Sequence, residues 1–188
     1  MAKTRDEIVL TNSATPALEA LRTVLETDIV LPLSRALTMT GLSLRMLSRD
    51  FFVSDILVEP SARMSAVKTG IISQKALTLE PTKVRHLLGV AAMRRDLQVP
   101  TEDWKVTTHF DKVSPDAEWS SAAGLVAIEF DAGFYSERTI QRKARLFQAA
   151  YNGGLVWGVC TKTREATVAR HLAVVQLSTP SLVVNWRE

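Results

Sequence analysis

A cluster of acids and one lysine in the second half of this 188-residue chain has the types and spacing to hold a divalent cation. Residues 125–131 alternate, so Leu125, Ala127, Glu129 and Asp131 share one face of a strand, and Val126, Ile128 and Phe130 the other. Glu129 and Asp131 therefore end a buried strand on one side, about 7 Å apart by the strand rise. Carboxylates that close inside a sheet repel each other and lose hydration, and a cation relieves both costs. Asp116, entered through Pro115, offers a third carboxylate from the neighbouring extended segment. Oxygen ligands of this kind suit Mg²⁺ or Mn²⁺ rather than zinc.

The following helix supplies an amine. Ile140, Ala144, Phe147 and Tyr151 form its packing stripe, and Lys143 stands three residues after Ile140 and four before Phe147. That spacing turns Lys143 toward the sheet. A buried ammonium is costly unless it meets carboxylates or a phosphate. Beside a metal-bound water it would polarise that water and offset charge in a phosphoryl transition state. The plainer alternative is a packed stem with its amine in solvent.

These residues need a sheet to position them. A helical face of Val84, Leu87, Leu88 and Ala91 ends before Pro100, and Trp104–Phe110 alternates like a strand. A short extended piece follows around Asp116–Trp119, then the strand Leu125–Asp131 and a helix from Ser136 to Tyr151, stopped by Asn152-Gly-Gly154. Leu155–Cys160 reads as a buried strand, 162–171 as a basic helix and Leu182–Trp186 as a last strand. The order α-β-β-β-α-β-α-β specifies a mixed sheet with helices packed on it.

The first half reads differently. After a loose arm over 1–14, Ser13 or Thr15 caps a helix with Pro16 in its first turn and Leu18, Leu21 and Leu25 on one face. A second helix fits Leu31–Met39, Thr40-Gly41 breaks it, and a third from Ser43 carries Leu44, Leu47 and Phe51 as its apolar stripe. Short helices around a tight turn match a helix-turn-helix, with Arg45 and Arg49 off the stripe of the third. Residues 55–79 then supply a wing with a basic return carrying Arg63 and Lys68. A small helical bundle with two exposed arginines is the alternative.

The quoted residues resemble a known family. Pro115-Asp116, Ile128-Glu129-Phe130-Asp131 and Lys143 in the next helix look like a variant of the PD-(D/E)XK nuclease motif. More narrowly, the chain resembles the replication-relaxation family of plasmid and mobile-element proteins, on Arg85-His86-Leu-Leu-Gly-Val90, Pro115-Asp116, Glu129-Phe-Asp131-Ala-Gly133, and Lys143 with Tyr151. The resemblance runs from Leu42 to Val159. It implies an α/β (α+β) chain with a winged helix-turn-helix DNA-binding domain over 15–80 and a nuclease-like mixed sheet flanked by helices over 81–188. It further implies a metal-dependent DNA endonuclease, or a catalytically inactive relic serving as a regulator or replication accessory. In the active case Asp116, Glu129 and Asp131 hold Mg²⁺ or Mn²⁺ and Lys143 positions the attacking water. Asp131 stands where the wider superfamily has its lysine, so the amine must come from Lys143. Ala132 replaces an expected basic residue.

Composition agrees with a globular chain that meets a polyanion. Apolar residues are 46% and charged residues 23%, against only eight Gly and seven Pro. A single cysteine, Cys160, excludes an internal disulfide framework and a cysteine zinc site. With no signal-like N-terminus and no long apolar run, a cytoplasmic protein is expected, without a membrane partner. The net charge of +3 hides two basic zones. Residues 138–170 hold seven bases, Arg142 among them as a DNA-contact candidate, against Glu165 alone, and residues 29–79 hold six bases to three acids. DNA is the expected partner, and a homodimer is allowed. Solvated helix faces, and a scaffold with no nucleic-acid partner, are the alternatives for these zones. His86, His109 and His171 lack ligand spacing, and the four tryptophans fall on predicted strands where core packing is the expected role.

Overall fold

The computed structural model describes residues 5–58, 67–107, 113–176 and 181–183, with side chains over 16–58, 68–107 and 113–176. It is a mixed α/β chain in two compact units, the first running to Val84 and the second starting at Arg85.

The first unit opens with α1 (Arg5–Asp28), β1 (Val30–Pro32), α2 (Leu33–Thr40) and α3 (Leu44–Asp50), followed by β2 (Phe52–Leu57) and β3 (Val67–Ile72). The helix begins at Arg5 and carries Pro16 inside it, whereas the sequence reading placed a loose arm there and a cap at Ser13 or Thr15. An interior Pro removes only one hydrogen bond from a long helix. The second helix, expected from Leu31, starts only at Leu33, and Val30–Pro32 form a strand instead. Ile29, at φ 68°, turns the chain out of α1, and its carbonyl accepts from Ser73 N at 2.8 Å, which sets β1 beside β3.

The sheet order is β1-β3-β2, antiparallel throughout. Leu21, Leu25, Leu31, Ala36, Leu47, Phe51 and Ile71 form the core beneath it. Gly41, at φ 66°, closes α2 by donating its N–H to Leu37 O at 2.8 Å, a left-handed position that glycine takes without a Cβ penalty. In α3 only Leu47 of the helix proper is buried, and Leu44, expected on the apolar stripe, is exposed.

The second unit contains α4 (Pro81–Asp96, whose first residues belong to the first unit), β4 (Trp104–Val106), β5 (Ala117–Ser121), β6 (Gly124–Asp131), α5 (Glu137–Ala150), β7 (Gly154–Val159), α6 (Lys162–Val174) and β8 (Ser181–Val183). The sheet order is β4-β5-β6-β7-β8, antiparallel from β4 to β6 and parallel from β6 to β8. Both faces are covered. On one side Gly89 of α4 lies so close to Phe130 that a Cβ there would fall 2.2 Å from the ring. On the other, Ala127, Leu155, Trp157 and Val159 pack with Ile140, Ala144 and Phe147 of α5 and with Val168 and Leu172 of α6. β6, the central strand, is buried from Val126 to Asp131, so its two acids end inside the protein.

Candidate functional site

The site lies at the C-terminal end of β6, where the sheet changes from antiparallel to parallel pairing. In the register of β5 and β6, Ala117 pairs with Ile128, which sets Asp116 opposite Glu129. Asp116 N donates to Ile128 O at 2.9 Å and carries the pairing one step past β5. The Asp116 carboxylate accepts from Phe130 N at 2.7 Å, and His86 Nε2 of α4 lies 2.9 Å from the same oxygen. Asp116 is buried, at 7% exposure.

Glu129 has no exposure at all. Lys143 Nζ lies 2.7 Å from its Oε1 and 3.5 Å from Ser114 O. The ion pair is close, but its angles fall short of a formed hydrogen bond, and neither Glu129 oxygen accepts one of good geometry among the described residues. Burial pushes the Glu129 carboxyl well above the usual carboxylate range, and the Asp116 charge adds to the rise. The Lys143 ammonium and the Tyr135 hydroxyl act in the opposite direction without overcoming burial. Tyr135 is itself raised far above the ordinary phenol range by burial first and then by the charges of Glu129 and Asp116. The Lys143 ammonium also faces the rings of Tyr135 and Phe147, at 5.6 and 5.3 Å from their centroids.

Asp131 is held on both oxygens. Its Oδ1 accepts the backbone N–H groups of Gly133, Phe134 and Tyr135 at 2.7, 3.1 and 3.3 Å, which winds the loop between β6 and α5 around it. Its Oδ2 takes Arg164 Nε at 2.8 Å together with Nη2, and Nη2 also donates to Tyr135 O. Arg164 reaches Asp131 because β7 runs parallel to β6 and α6 starts just beyond it. The Thr161 side chain caps α6 by accepting from Arg164 N at 3.1 Å. Ser136 caps α5 in the same way, accepting from Thr139 N at 3.2 Å, and so fixes the helix that carries Lys143.

Asp116, Glu129 and Lys143 thus stand together, as the spacing predicts, and Asp131 has a separate engagement. Sequence reasoning set Lys143 among the acids but missed the other two bases. Each carboxylate has its own: His86 for Asp116, Lys143 for Glu129 and Arg164 for Asp131. Arg164 was visible only as one member of a basic zone. Its place at the start of the helix after the strand beside β6 was the available signal. Tyr135, in the loop behind Asp131, left no signal of period or spacing.

Mg²⁺ or Mn²⁺ needs open carboxylate oxygens converging from several sides. Both Asp131 oxygens are committed, and one oxygen of each other acid faces a protein base. Among the described residues no three His, Cys, Asp or Glu side chains stand together in a way that could hold a metal ion.

The expected DNA contacts are spread over both units. Arg45 and Arg49 are exposed on α3, Lys68 is half-buried on β3, and Arg63 lies outside the described residues, as do His109 and Trp186. Arg142 is exposed on α5 between Arg138 and Arg145, also exposed, at spacings of four and three that make one outward stripe. No described helix is long and apolar enough to cross a membrane. No protein-family model, curated protein or solved structure matches the chain.

Proposed function

We propose that this chain is a DNA-binding protein whose first unit is a winged helix and whose second is a PD-(D/E)XK-like domain that grips nucleic acid without hydrolysing it. This is a regulatory or replication-accessory role of the kind the replication-relaxation resemblance implies. The observation that carries the non-hydrolytic part is the one-to-one matching of Asp116, Glu129 and Asp131 with His86, Lys143 and Arg164. A basic group beside each acid leaves fewer open carboxylate oxygens to draw a divalent cation.

Support for the winged helix comes from the order helix-strand-helix-helix-strand-strand and the antiparallel sheet order β1-β3-β2. Arg45 and Arg49 lie on the exposed side of α3, where a recognition helix meets the groove. Support for the second part comes from the α-β-β-β-α-β-α-β order and from Lys143 beside Glu129. The stripe Arg138, Arg142 and Arg145 offers that unit a phosphate-binding face.

A metal-dependent endonuclease is the competing reading. It is favoured by the unsatisfied Glu129 oxygens beside Lys143 and the Asp116 charge. Duplex binding followed by fluorescence anisotropy over a salt series tests the shared claim. Binding should weaken steeply with salt, and Arg49→Ala and Arg142→Glu should each lower affinity and flatten the salt slope by about one phosphate. Absence of binding at low salt would refute a nucleic-acid role.

A further inference from the structure

Beside the carboxylate pairs stands a cation they leave unused. Arg85 precedes His86, the partner of Asp116, in α4. Its guanidinium lies over the ring of Phe134, with Cζ 5.2 Å from the centroid. Its Nε is buried and donates to nothing among the described residues, and no described carboxylate forms an ion pair with it. Phe134 is 64% exposed, so its ring is open to a ligand. Its backbone N–H is tied to Asp131 Oδ1, so the ring projects from a loop fixed to the end of β6.

We propose that Arg85 and Phe134 form a nucleotide subsite at the rim of this centre, the guanidinium taking a phosphate and the open ring face stacking an unpaired base. Arg85 is only half-buried, and its planar guanidinium fork suits a phosphate. Arginine already covers one face of the ring, which leaves the other to a base, and stacking tolerates any base because each has a π face. The occupant is therefore single-stranded nucleic acid or a frayed end, in contrast with the duplex that α3 would meet. This inference rests on the proposed nucleic-acid role and adds the strand state that the second unit recognises.

The test uses the full chain, a short fluorescein-labelled oligothymidylate and a mixed-sequence duplex, followed by anisotropy. Phe134→Ala should weaken oligothymidylate binding about tenfold and leave duplex binding within about twofold. Phe134→Trp should retain the affinity and show added tryptophan quenching. Arg85→Gln should weaken the same binding and flatten its salt slope by about 0.7. If Arg85→Gln fails to fold, the exposed Phe134 variants decide the matter. Oligothymidylate binding unchanged in Phe134→Ala, or duplex binding without oligothymidylate binding in the parent chain, overturns the subsite and leaves the DNA-binding proposal standing. Loss of both ligands in the parent chain overturns both.

Discussion

Replacing Lys143 with Met asks whether the buried pair at the centre is a structural neutralisation. Its atoms are 2.7 Å apart, with side-chain exposures of 6% and 0%. At an effective dielectric of about 20, unit charges at that distance attract by about 6 kcal/mol. Removing each ion from water costs several kcal/mol, so the intact pair sits near break-even. Losing one member is different, because the other's desolvation then stands uncompensated. Lys143→Met should cost about 3 kcal/mol, which is roughly 12 °C in Tm for a domain of this size.

Glu129 has an escape, since its carboxyl already titrates well above the usual range and can take up a proton. An acid whose folded pKa is raised favours the folded state below its unfolded pKa, and that contribution falls as pH rises through the folded value. Without Lys143 the folded value rises further, so the penalty should be smaller near pH 5 than near pH 8. Glu129→Gln combined with Lys143→Met leaves no charge to compensate and should recover most of the loss, with a coupling of about 2 kcal/mol in the double-mutant cycle. Urea unfolding followed by tryptophan fluorescence at both pH values measures all of these. A Lys143→Met penalty below about 0.5 kcal/mol at both, or strictly additive single changes, would refute the reasoning.

Other perturbations probe the same edge of the sheet. Arg164→Gln should destabilise the protein by about 3 kcal/mol in denaturant unfolding, because Asp131 is fully buried. Arg164→Lys should recover less than half of that loss, since one ammonium cannot replace a fork shared between Asp131 and Tyr135 O. The chain's two tyrosines should both resist alkali. Tyr151 is pushed up to about 12 by burial and by its hydrogen bond to Glu118, and Tyr135 is raised further by burial and by Glu129. Ultraviolet titration of the folded protein should show neither phenolate at about pH 10.5, and stability should fall as pH rises above about 10, where the unfolded chain releases these protons first. A tyrosine that ionises near 10 in the folded state would contradict the packing around it.

The mixed α/β architecture was legible because its signals are local. Alternation marks β6, the stripe from Ile140 to Tyr151 marks α5, and the polar cap Ser136 marks the start of that helix. The inward turn of Lys143 follows from the same stripe. What escaped were partners joined by strand pairing. Arg164 is 33 residues from Asp131, and only the parallel register of β6 and β7 brings them together. Lys143 was legible as a counter-charge among the three acids, whereas His86 beside Asp116 and Arg164 beside Asp131 were not. In the first half, Pro16 masked the early start of α1, since proline signals a first turn more often than an interior. A three-residue strand such as β1 is too short to show a period.

Supercoiled plasmid incubated with the full chain and Mn²⁺, run on an agarose gel beside a chelator control, tests the central claim most directly. The account predicts retarded plasmid that returns intact, still supercoiled, once protein is removed. Nicked or linear product that disappears in Glu129→Gln and in chelator would contradict it.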